Sequence, residues 1–178
     1  MKWLQQINFN STKTIANINA GFDETSAILQ SKFQNSGLHV LDFYDPEKHT
    51  EVSIKRARNL YPSYPGTISI DTKNLNFNDA EMDVVFLIFA AHEIRNQDER
   101  IAFFKELNRV LKADGKIILV EHLRDFANFL AFNIGFFHFF SKTNWTNTIQ
   151  NSNLKIESET KLTPFTSLFI LSKNGITS

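Results

Sequence analysis

Cysteine is absent from this 178-residue chain, and so is any excess of charge of one sign. Without cysteine the chain can form no disulfide scaffold, no thiolate metal site and no cysteine nucleophile, which fits a reducing compartment. Lysine plus arginine equals aspartate plus glutamate at 19 each, so no net charge favours nucleic acid or an anionic membrane. We therefore expect no nucleic-acid partner.

Long apolar runs are also missing. The first residues, MKWLQQINFNSTK, lack the apolar segment of a signal peptide, and no stretch approaches the ~20 residues that span a bilayer. The composition, 42% hydrophobic and 21% charged, is still that of a globular protein that buries a core. We expect a single domain over residues 1–178, located in the cytoplasm.

The clearest pattern lies in residues 83–125, DVVFLIFAAHEIRNQDERIAFFKELNRVLKADGKIILVEHLRD. Val84–Phe89 is a continuous apolar run, which is typical of a parallel strand covered on both faces, and Lys116–Val120 is the next predicted strand. Parallel strands joined by a helix form a right-handed crossover, and ligands bind beyond the carboxyl ends of such strands. His92 and His122 follow the two strands and are therefore predicted to lie at the ligand-binding edge.

Helix signals stand between these two strands. Asn96 precedes an apolar helical stripe and lies three residues before Glu99, which is the pattern of an N-cap with its capping-box partner. Gly115 is predicted to end the helix as its C′ residue.

Strands and helices alternate through the rest of the chain as well. The other predicted strands are Lys13–Ala20, Leu38–Phe43, Thr67–Asp71, Leu154–Lys161 and Ser167–Leu171, and the other predicted helices are Glu24–Phe33, capped by Asp23, and a helix from Pro46 to Leu60. This alternation predicts an α/β fold with a mostly parallel sheet.

The first strand-to-helix turn holds one glycine, Gly21, where a dinucleotide-binding fingerprint has three. Asp42 lies twenty-one residues later, the usual offset for an acid that binds a ribose. Asp23 puts a carboxylate at the helix N-terminus, where a pyrophosphate would need free amide groups. The turn therefore favours a ribose-bearing cofactor without a pyrophosphate and disfavours NAD and FAD.

The order of these features resembles the class I S-adenosylmethionine-dependent methyltransferases, most closely the branch of ubiquinone, menaquinone and other small-molecule methyltransferases. The resemblance covers roughly residues 13–125, and its most specific piece is LNRVLKADGK at residues 107–116. It implies a Rossmann-like, mostly parallel seven-stranded sheet with helices on both faces and an antiparallel last strand. It also implies S-adenosylmethionine as cofactor.

The resemblance further implies six positions along the cofactor. They are Asn19 and Gly21 at the methionine part, Asp42 at the ribose, Asp71 at the adenine, and Phe89 and Ala90 at the methyl group.

The chain also departs from the family pattern. The family begins its first motif with an acid followed by glycines, and this chain has Asn17, Asn19 and Asp23 in those places. A methyltransferase-like binding or scaffold protein without turnover is therefore the first alternative. A Rossmann-type oxidoreductase is the second, and Asp23 disfavours it.

His92 and His122 are the candidate catalytic residues. Either could act as general base for an acceptor hydroxyl, because imidazole titrates near neutral pH. Either could instead cap a helix or bond a backbone carbonyl. The neighbouring Glu93 and Glu121 allow a histidine and carboxylate metal site to be drawn, but the spacing matches no recognised ligand pattern. We predict no metal.

Phenylalanine dominates the segment after residue 125, with seven of them in residues 126–140. Three interpretations are open: core packing, a pocket for an apolar substrate, and contact with a membrane surface, the last weakened by thin basic flanking. In the resembling family this insertion, here about residues 126–150, forms part of the acceptor site. The resemblance therefore implies a small apolar acceptor, whose methylated atom could be nitrogen, oxygen or carbon, in a pocket lined by Phe129, Phe132, Phe136 and Trp145.

The family usually has helices before the first strand that roof the pocket. This chain has about a dozen residues there. Either a partner subunit or an open site would have to compensate, and we expect a homodimer.

Overall fold

Strands and helices alternate in the part of the chain that the computed structural model describes, which is Trp3, Leu4, Ile7 and residues 13–47, 56 and 58–175. The strands are β1 (Thr14–Asn19), β2 (Gly37–Asp42), β3 (Ile68–Ser69), β4 (Met82–Ile88), β5 (Leu111–His122), β6 (Leu154–Thr163) and β7 (Thr166–Lys173). The helices are α1 (Ser26–Lys32), α2 (Gln97–Val110), α3 (Phe126–Phe132) and α4 (Lys142–Gln150), with 3₁₀ turns at Ala91–Glu93 and Asn133–His138.

The seven strands form one sheet in the order β3-β2-β1-β4-β5-β7-β6. Neighbouring strands are parallel from β3 to β5, and β7 runs antiparallel to both β5 and β6. The predicted α/β sheet, mostly parallel with an antiparallel last strand, is confirmed.

The central strand β4 is buried on both of its faces. Val85 and Leu87 point into the core that also contains side chains of α2 and α4. Val84 and Phe86 point into a second core, to which Leu29 of α1 belongs. Helices therefore cover both faces of the sheet, which explains why this strand reads as a continuous apolar run.

Helix α2 begins where its sequence pattern predicts and ends earlier. The Asn96 side chain accepts a hydrogen bond from the Glu99 amide (2.9 Å), as an N-cap does. The helix ends at Val110, however, and β5 starts at the next residue. The prediction that Gly115 ends the helix is wrong, because Gly115 lies inside β5, where a Cβ atom would be 2.8 Å from the Leu111 side chain.

Two other element predictions need comment. Helix α1 is shorter than predicted and starts at Ser26, after an N-cap at Thr25 rather than at Asp23. The predicted helix from Pro46 to Leu60 lies mostly outside the described residues, of which Arg56 and residues 58–60 are helical. No helix of the described ranges is both long enough and apolar enough to cross a membrane.

Asp83 ties three segments together at the end of the sheet opposite the predicted ligand edge. Its Oδ2 atom accepts from the Thr14 amide and from the Lys112 ammonium, both at 2.8 Å. The Lys13 ammonium lies 3.6 Å from Oδ1. Burial alone would raise the pKa of Asp83, but the Lys112 ammonium and the Thr14 amide outweigh it and hold this pKa below its ordinary value.

We expect Asp83→Asn to lower the free energy of unfolding at neutral pH by about 1–3 kcal/mol, the usual worth of hydrogen bonds to a charged group. A carboxyl group whose pKa is lowered in the folded state stabilises it above the unfolded pKa of ~3.9, and this contribution fades as the pH falls through the folded pKa. Urea denaturation at pH 7 and below pH ~3.9 should therefore give a difference that shrinks in acid.

Asp114→Asn is the matched control, because Asp114 lies on the neighbouring strand β5 and is exposed. Its effect should stay within about 0.5 kcal/mol. The Asp83→Asn variant and the unchanged chain could instead differ in their free energy of unfolding as much in acid as at neutral pH. That result would contradict a stabilising role for the ionised Asp83 carboxylate.

Candidate functional site

Two cavities open at the carboxyl ends of the parallel strands. The larger, about 530 Å³, is lined by residues that include Tyr44, Asp71 and Glu93. The smaller, about 210 Å³, is lined by residues that include Asn19, Phe89 and Glu93. Because Glu93 lines both, the two cavities are neighbouring parts of one region, the region where a doubly wound sheet binds ligands.

The turn after β1 carries its negative charge on Asp23. Asn17 Nδ2 donates to Thr25 Oγ1 and Ser26 Oγ, both at 2.8 Å, and lies 3.4 Å from Asp23 Oδ1. The same Asp23 oxygen accepts from the amides of Thr25 and Ser26 at 2.9 Å. The amides at the start of α1 are therefore already bonded to a carboxylate, which agrees with the expectation that this turn does not bind a pyrophosphate.

Asn19 and Gly21 form the floor of the turn. Asn19 Oδ1 accepts from the Gly21 amide at 3.2 Å, whereas the buried Asn19 Nδ2 has no hydrogen-bond partner among the described residues. A buried unpaired donor is costly, so a ligand acceptor such as an amino-acid carboxylate fits this position in the smaller cavity. Gly21 has φ +97°, and a Cβ atom there would lie 2.6 Å from the Tyr44 ring. Glycine is therefore required at this point of the turn.

Asp42 is buried at the end of β2 and is bonded on both oxygens. Oδ1 accepts from the Tyr44 amide at 2.8 Å, and Oδ2 accepts from Arg58 Nη1 at 2.6 Å. Arg58 also donates to the Gly21 carbonyl (3.1 Å), and its guanidinium lies 4.3 Å from the centre of the Tyr44 ring. A ribose that bonds to Asp42 Oδ2 would therefore compete with Arg58 for this oxygen.

The remaining predicted cofactor positions differ in access. Asp71 is exposed, lines the larger cavity and accepts a hydrogen bond from the Lys73 amide (2.7 Å). Phe89 lines the smaller cavity, whereas Ala90 is buried in the core. The carboxyl edge thus brings together Asn19, Phe89 and Asp71, but it leaves Ala90 behind the surface.

His92 lies between two carboxylates. Its Nδ1 is 2.7 Å from Glu121 Oε2, and its Nε2 is 3.2 Å from Glu93 Oε1. Burial lowers the pKa of His92, but the charges and hydrogen bonds of Glu121 and Glu93 outweigh it and raise this pKa to about 10. A protonated ring cannot accept a proton, so His92 is not suited to be the general base in this arrangement.

His122 has the opposite character. Its Nδ1 lies 2.8 Å from the Phe165 carbonyl oxygen, and because a carbonyl only accepts, Nδ1 carries a hydrogen. In the neutral ring Nε2 then has a lone pair. The ring is stacked on Phe89 (4.8 Å between centroids, 19° between planes) and lies 5.1 Å from Phe132 and 4.9 Å from Phe139. His122 is therefore held by the Phe165 carbonyl through Nδ1 and is set among aromatic rings.

The Phe-rich segment folds over this aromatic group. Phe129 and Phe132 of α3 are partly exposed, and the Phe129 ring meets Phe136 edge-on at 5.6 Å. Trp145 corrects a prediction, because it is completely buried in the main core against Phe140 and lines neither cavity. Helix α4 turns its indole toward α2, so Trp145 anchors the segment from inside.

Three residues of this region were not predicted: Tyr44, Arg58 and His138. His138 interrupts the phenylalanine run and approaches Glu93, with 3.6 Å between Nε2 and Oε1. An isolated histidine or arginine carries no local pattern, so only its isolation in an apolar run could have drawn attention to His138.

Phe89 has an unusual backbone. Its φ is +52°, in the left-handed region that non-glycine residues avoid at a cost of about 1–2 kcal/mol. We expect the free energy of unfolding of Phe89→Gly to be about 1 kcal/mol higher than that of Phe89→Ala. Both variants lose the ring, but only glycine adopts the positive φ without strain. Urea denaturation of the two variants measures this difference.

Phe132 supplies the matched pair. It is as exposed as Phe89, also contacts His122, and has φ −111°. Phe132→Gly should be no more stable than Phe132→Ala. If the glycine and alanine variants have the same order of stability at both positions, the backbone of Phe89 is not strained.

Comparison with known proteins identifies the family. A profile described as a methyltransferase domain matches residues 28–119, just over half of the chain. No relative was found among curated proteins.

Three solved structures illustrate the likeness of fold. A SAM dependent methyltransferase from Aquifex aeolicus is 12% identical with a TM-score of 0.69, over 96% of this chain and 87% of that one. A second, from Methanosarcina mazei, is 16% identical with a TM-score of 0.67, over 96% of each chain. A chain from a Haloferax volcanii complex between the Trm112 methyltransferase activator and a methyltransferase is 12% identical with a TM-score of 0.70, over 98% and 88%.

The profile match runs from within α1 through β2, β3, β4 and α2 into β5, and it includes the ends of β2 and β4 beside the two cavities. The sheet order and the antiparallel β7 agree with it. The chain therefore belongs to the methyltransferase family, in the class I S-adenosylmethionine-dependent group, and S-adenosylmethionine is its cofactor.

Proposed function

We propose that this methyltransferase methylates a hydroxyl group on a small apolar acceptor, in keeping with the quinone and small-molecule branch that its sequence resembles. The observation that carries the proposal is His122, a histidine with a lone pair on Nε2 in a surround of phenylalanine rings at the end of β5. A hydroxyl acceptor needs a base, whereas an amine acceptor needs one much less. An aromatic surround favours an apolar acceptor.

The residues around the two cavities suit the parts of the cofactor. Asn19, with its unpaired amide donor, would bind the carboxylate of the methionine part in the smaller cavity. Asp71 would lie beside the adenine in the larger cavity, and Asp42 would accept from the ribose hydroxyls once Arg58 withdraws. The cofactor supplies a methyl group that is already activated by its sulfonium centre.

The work left to the chain is to align, dehydrate and deprotonate the acceptor. Phe89 and Phe132, which contact the His122 ring, would hold an apolar acceptor and exclude water from its hydroxyl. His122 Nε2 would take the hydroxyl proton, while the Phe165 carbonyl keeps the ring oriented through Nδ1. The proton then leaves to solvent, since His122 is only half-buried.

The outer phenylalanines extend this apolar region to the surface. The exposed side chains of α3 and the following 3₁₀ turn include Phe126, Phe129, Leu130, Ile134 and Phe137. Contiguous exposed apolar side chains are uncommon on a free surface and are typical of a binding site. We propose that Phe129, Phe132 and Phe136 form the outer part of the acceptor pocket.

A binding or scaffold protein without turnover remains the second candidate, and one observation favours it. Asp42 is bonded to Arg58, and the Tyr44 ring covers Gly21, so side chains of the chain itself lie where the ribose is expected. If this arrangement never opens, the cofactor cannot bind.

Thermal melts of the full chain with S-adenosylmethionine, S-adenosylhomocysteine and NAD separate the candidates. A ligand at a hundred times its dissociation constant adds about 2.7 kcal/mol and raises the midpoint by several degrees. We expect a shift with both sulfur compounds and none with NAD. No shift with either sulfur compound would overturn the methyltransferase activity and leave the scaffold, whereas a shift without methylation of any naphthol or hydroxyquinone would overturn only the proposed acceptor.

A further inference from the structure

Three side chains that can ligate a metal converge at the edge of the two cavities. His92 Nε2 lies 3.2 Å from Glu93 Oε1, and His138 Nε2 lies 3.6 Å from the same oxygen. The three ligand atoms all lie within 4.8 Å of one another. We propose that His92, Glu93 and His138 form a binding site for a divalent transition-metal cation, with Zn²⁺ as the best-fitting ion.

The distances agree with the size of such an ion. In a tetrahedral zinc site with bonds of ~2.0–2.1 Å, neighbouring ligand atoms lie about 3.3–3.4 Å apart. The two measured separations from Glu93, 3.2 and 3.6 Å, lie on either side of that value. On metal binding, rotation of the His138 ring would shorten the third side of the triangle, and His138 is the most exposed of the three side chains.

Glu121 supports the site from behind. Its Oε2 lies 2.7 Å from His92 Nδ1, and its Oε1 accepts from the His92 amide at 3.2 Å. The Glu121 side chain is completely buried. A carboxylate on one nitrogen of an imidazole, with the other nitrogen directed at a ligand, is the arrangement that orients histidines in zinc proteins. Glu121 is thus a positioning residue for the proposed ion.

Arg95 joins the two histidines from the backbone side. Its Nη1 donates to the His138 carbonyl at 2.6 Å and lies 3.3 Å from the His92 carbonyl. The guanidinium therefore fixes two residues that are far apart in the sequence, and it does so without using any ligand atom. A metal ion displaces the proton from the nitrogen of a histidine ligand, so binding at His92 Nε2 would release its proton. With the His92 ring neutral, the two carboxylates of Glu93 and Glu121 exceed the single charge of Arg95, and a dication does not enter a positive environment.

The ligand set indicates the class of cation. Two imidazoles and one carboxylate suit zinc and its neighbours in the transition series, whereas calcium and magnesium require oxygen ligands. Three protein ligands leave one position open, as in catalytic zinc sites. Glu93 lines both cavities, so that position is accessible to a small ligand. The spacing of His92 and Glu93 alone gave no metal prediction, because His138 comes from another part of the chain.

Metal titration of the full, tag-free chain tests the site without cofactor or acceptor, so its outcome is independent of the proposed function. After chelator treatment and exchange into metal-free buffer, calorimetry with ZnCl₂ should give one site. Co²⁺ should give the visible absorption of a tetrahedral centre. We expect His138→Ala and Glu93→Gln to weaken Zn²⁺ binding at least ~100-fold, and Glu121→Gln to weaken it by about 10–100-fold.

His122→Ala and His39→Ala are the matched controls, because both remove a histidine outside the cluster. They should keep the Zn²⁺ affinity within about threefold, with circular dichroism showing that every variant is folded. The site would be overturned by the absence of stoichiometric Zn²⁺ binding to the unaltered chain, or by a folded His138→Ala variant that binds as tightly as the unaltered chain. Equal weakening by His39→Ala would also overturn it, since binding would then be non-specific.

Discussion

Asp42→Ala is expected to weaken the binding of S-adenosylhomocysteine by about 100-fold or more, and Arg58→Met is expected to strengthen it. Asp42 is the buried acid at the end of β2, and hydrogen bonds from two ribose hydroxyls to a carboxylate are worth about 1.5–3 kcal/mol each. Losing them corresponds to a change of two decades or more in the dissociation constant.

The Arg58→Met substitution should change the affinity in the opposite direction, because Arg58 is bonded to the oxygen that the ribose needs. The Arg58→Met substitution removes the 2.6 Å ion pair but keeps an unbranched side chain to pack on Tyr44. The ligand-free variant should be less stable, since Asp42 loses a partner, and the ligand should regain that difference. We expect binding to tighten by about tenfold, which is ~1.4 kcal/mol.

Isothermal calorimetry with S-adenosylhomocysteine measures both effects. Asp71→Ala is the matched acid-to-alanine control at the same edge, and because its carboxylate is exposed we expect a loss of less than tenfold. Unchanged affinity in Asp42→Ala would make the ribose assignment wrong while the fold stands. Weaker binding in Arg58→Met would show that Arg58 contacts the ligand rather than competing with it.

His122→Ala is expected to slow methylation of a hydroxyl acceptor by about 10²–10⁴-fold, the usual contribution of a general base. The loss should diminish as the pH is raised, because the acceptor hydroxyl then ionises without help. The affinity for S-adenosylhomocysteine should change by less than about threefold, since His122 is not among the residues assigned to the cofactor. Transfer of radiolabelled methyl to naphthols, measured across pH, tests this role.

His39→Ala is the control for removal of a histidine, because His39 lies on β2 against Phe77, away from the carboxyl edge. A naphthylamine acceptor is the control for the chemistry, and its methylation should be much less sensitive to His122. A uniform loss with both acceptors and at every pH would indicate that His122 only packs the aromatic group.

The parts of the fold that could be predicted are those encoded by neighbours in the sequence. The apolar runs of β4 and β5 and the Asn96 cap all depend on residues within one element. The prediction for Gly115 was wrong because glycine occurs both at helix ends and at close contacts between segments. Here a close contact within the sheet, not a helix end, requires it. Local patterns therefore gave the sheet and most element types but not every boundary.

Residues of the site could be predicted only at positions that the resemblance to the family assigns. Asn19 ends β1 and Asp42 ends β2, and their roles at the cofactor stay predictions. The partner of Asp42 could not be foreseen, because Arg58 approaches from a different segment. His138 is the same case, since its contact with Glu93 depends on how the Phe-rich segment folds back. Trp145 failed for a related reason: an aromatic residue in an insertion can face the core as readily as a pocket.

Asn17 and Asp23 depend on each other in the turn after β1. Restoring an acid at position 17 alone would set two carboxylates against each other where an amide nitrogen and an oxygen now lie 3.4 Å apart. Restoring a glycine at position 23 alone would remove the acceptor of the Thr25 and Ser26 amides. We therefore expect either single substitution to destabilise the turn, because the Asn17 amide and the Asp23 carboxylate stabilise it together.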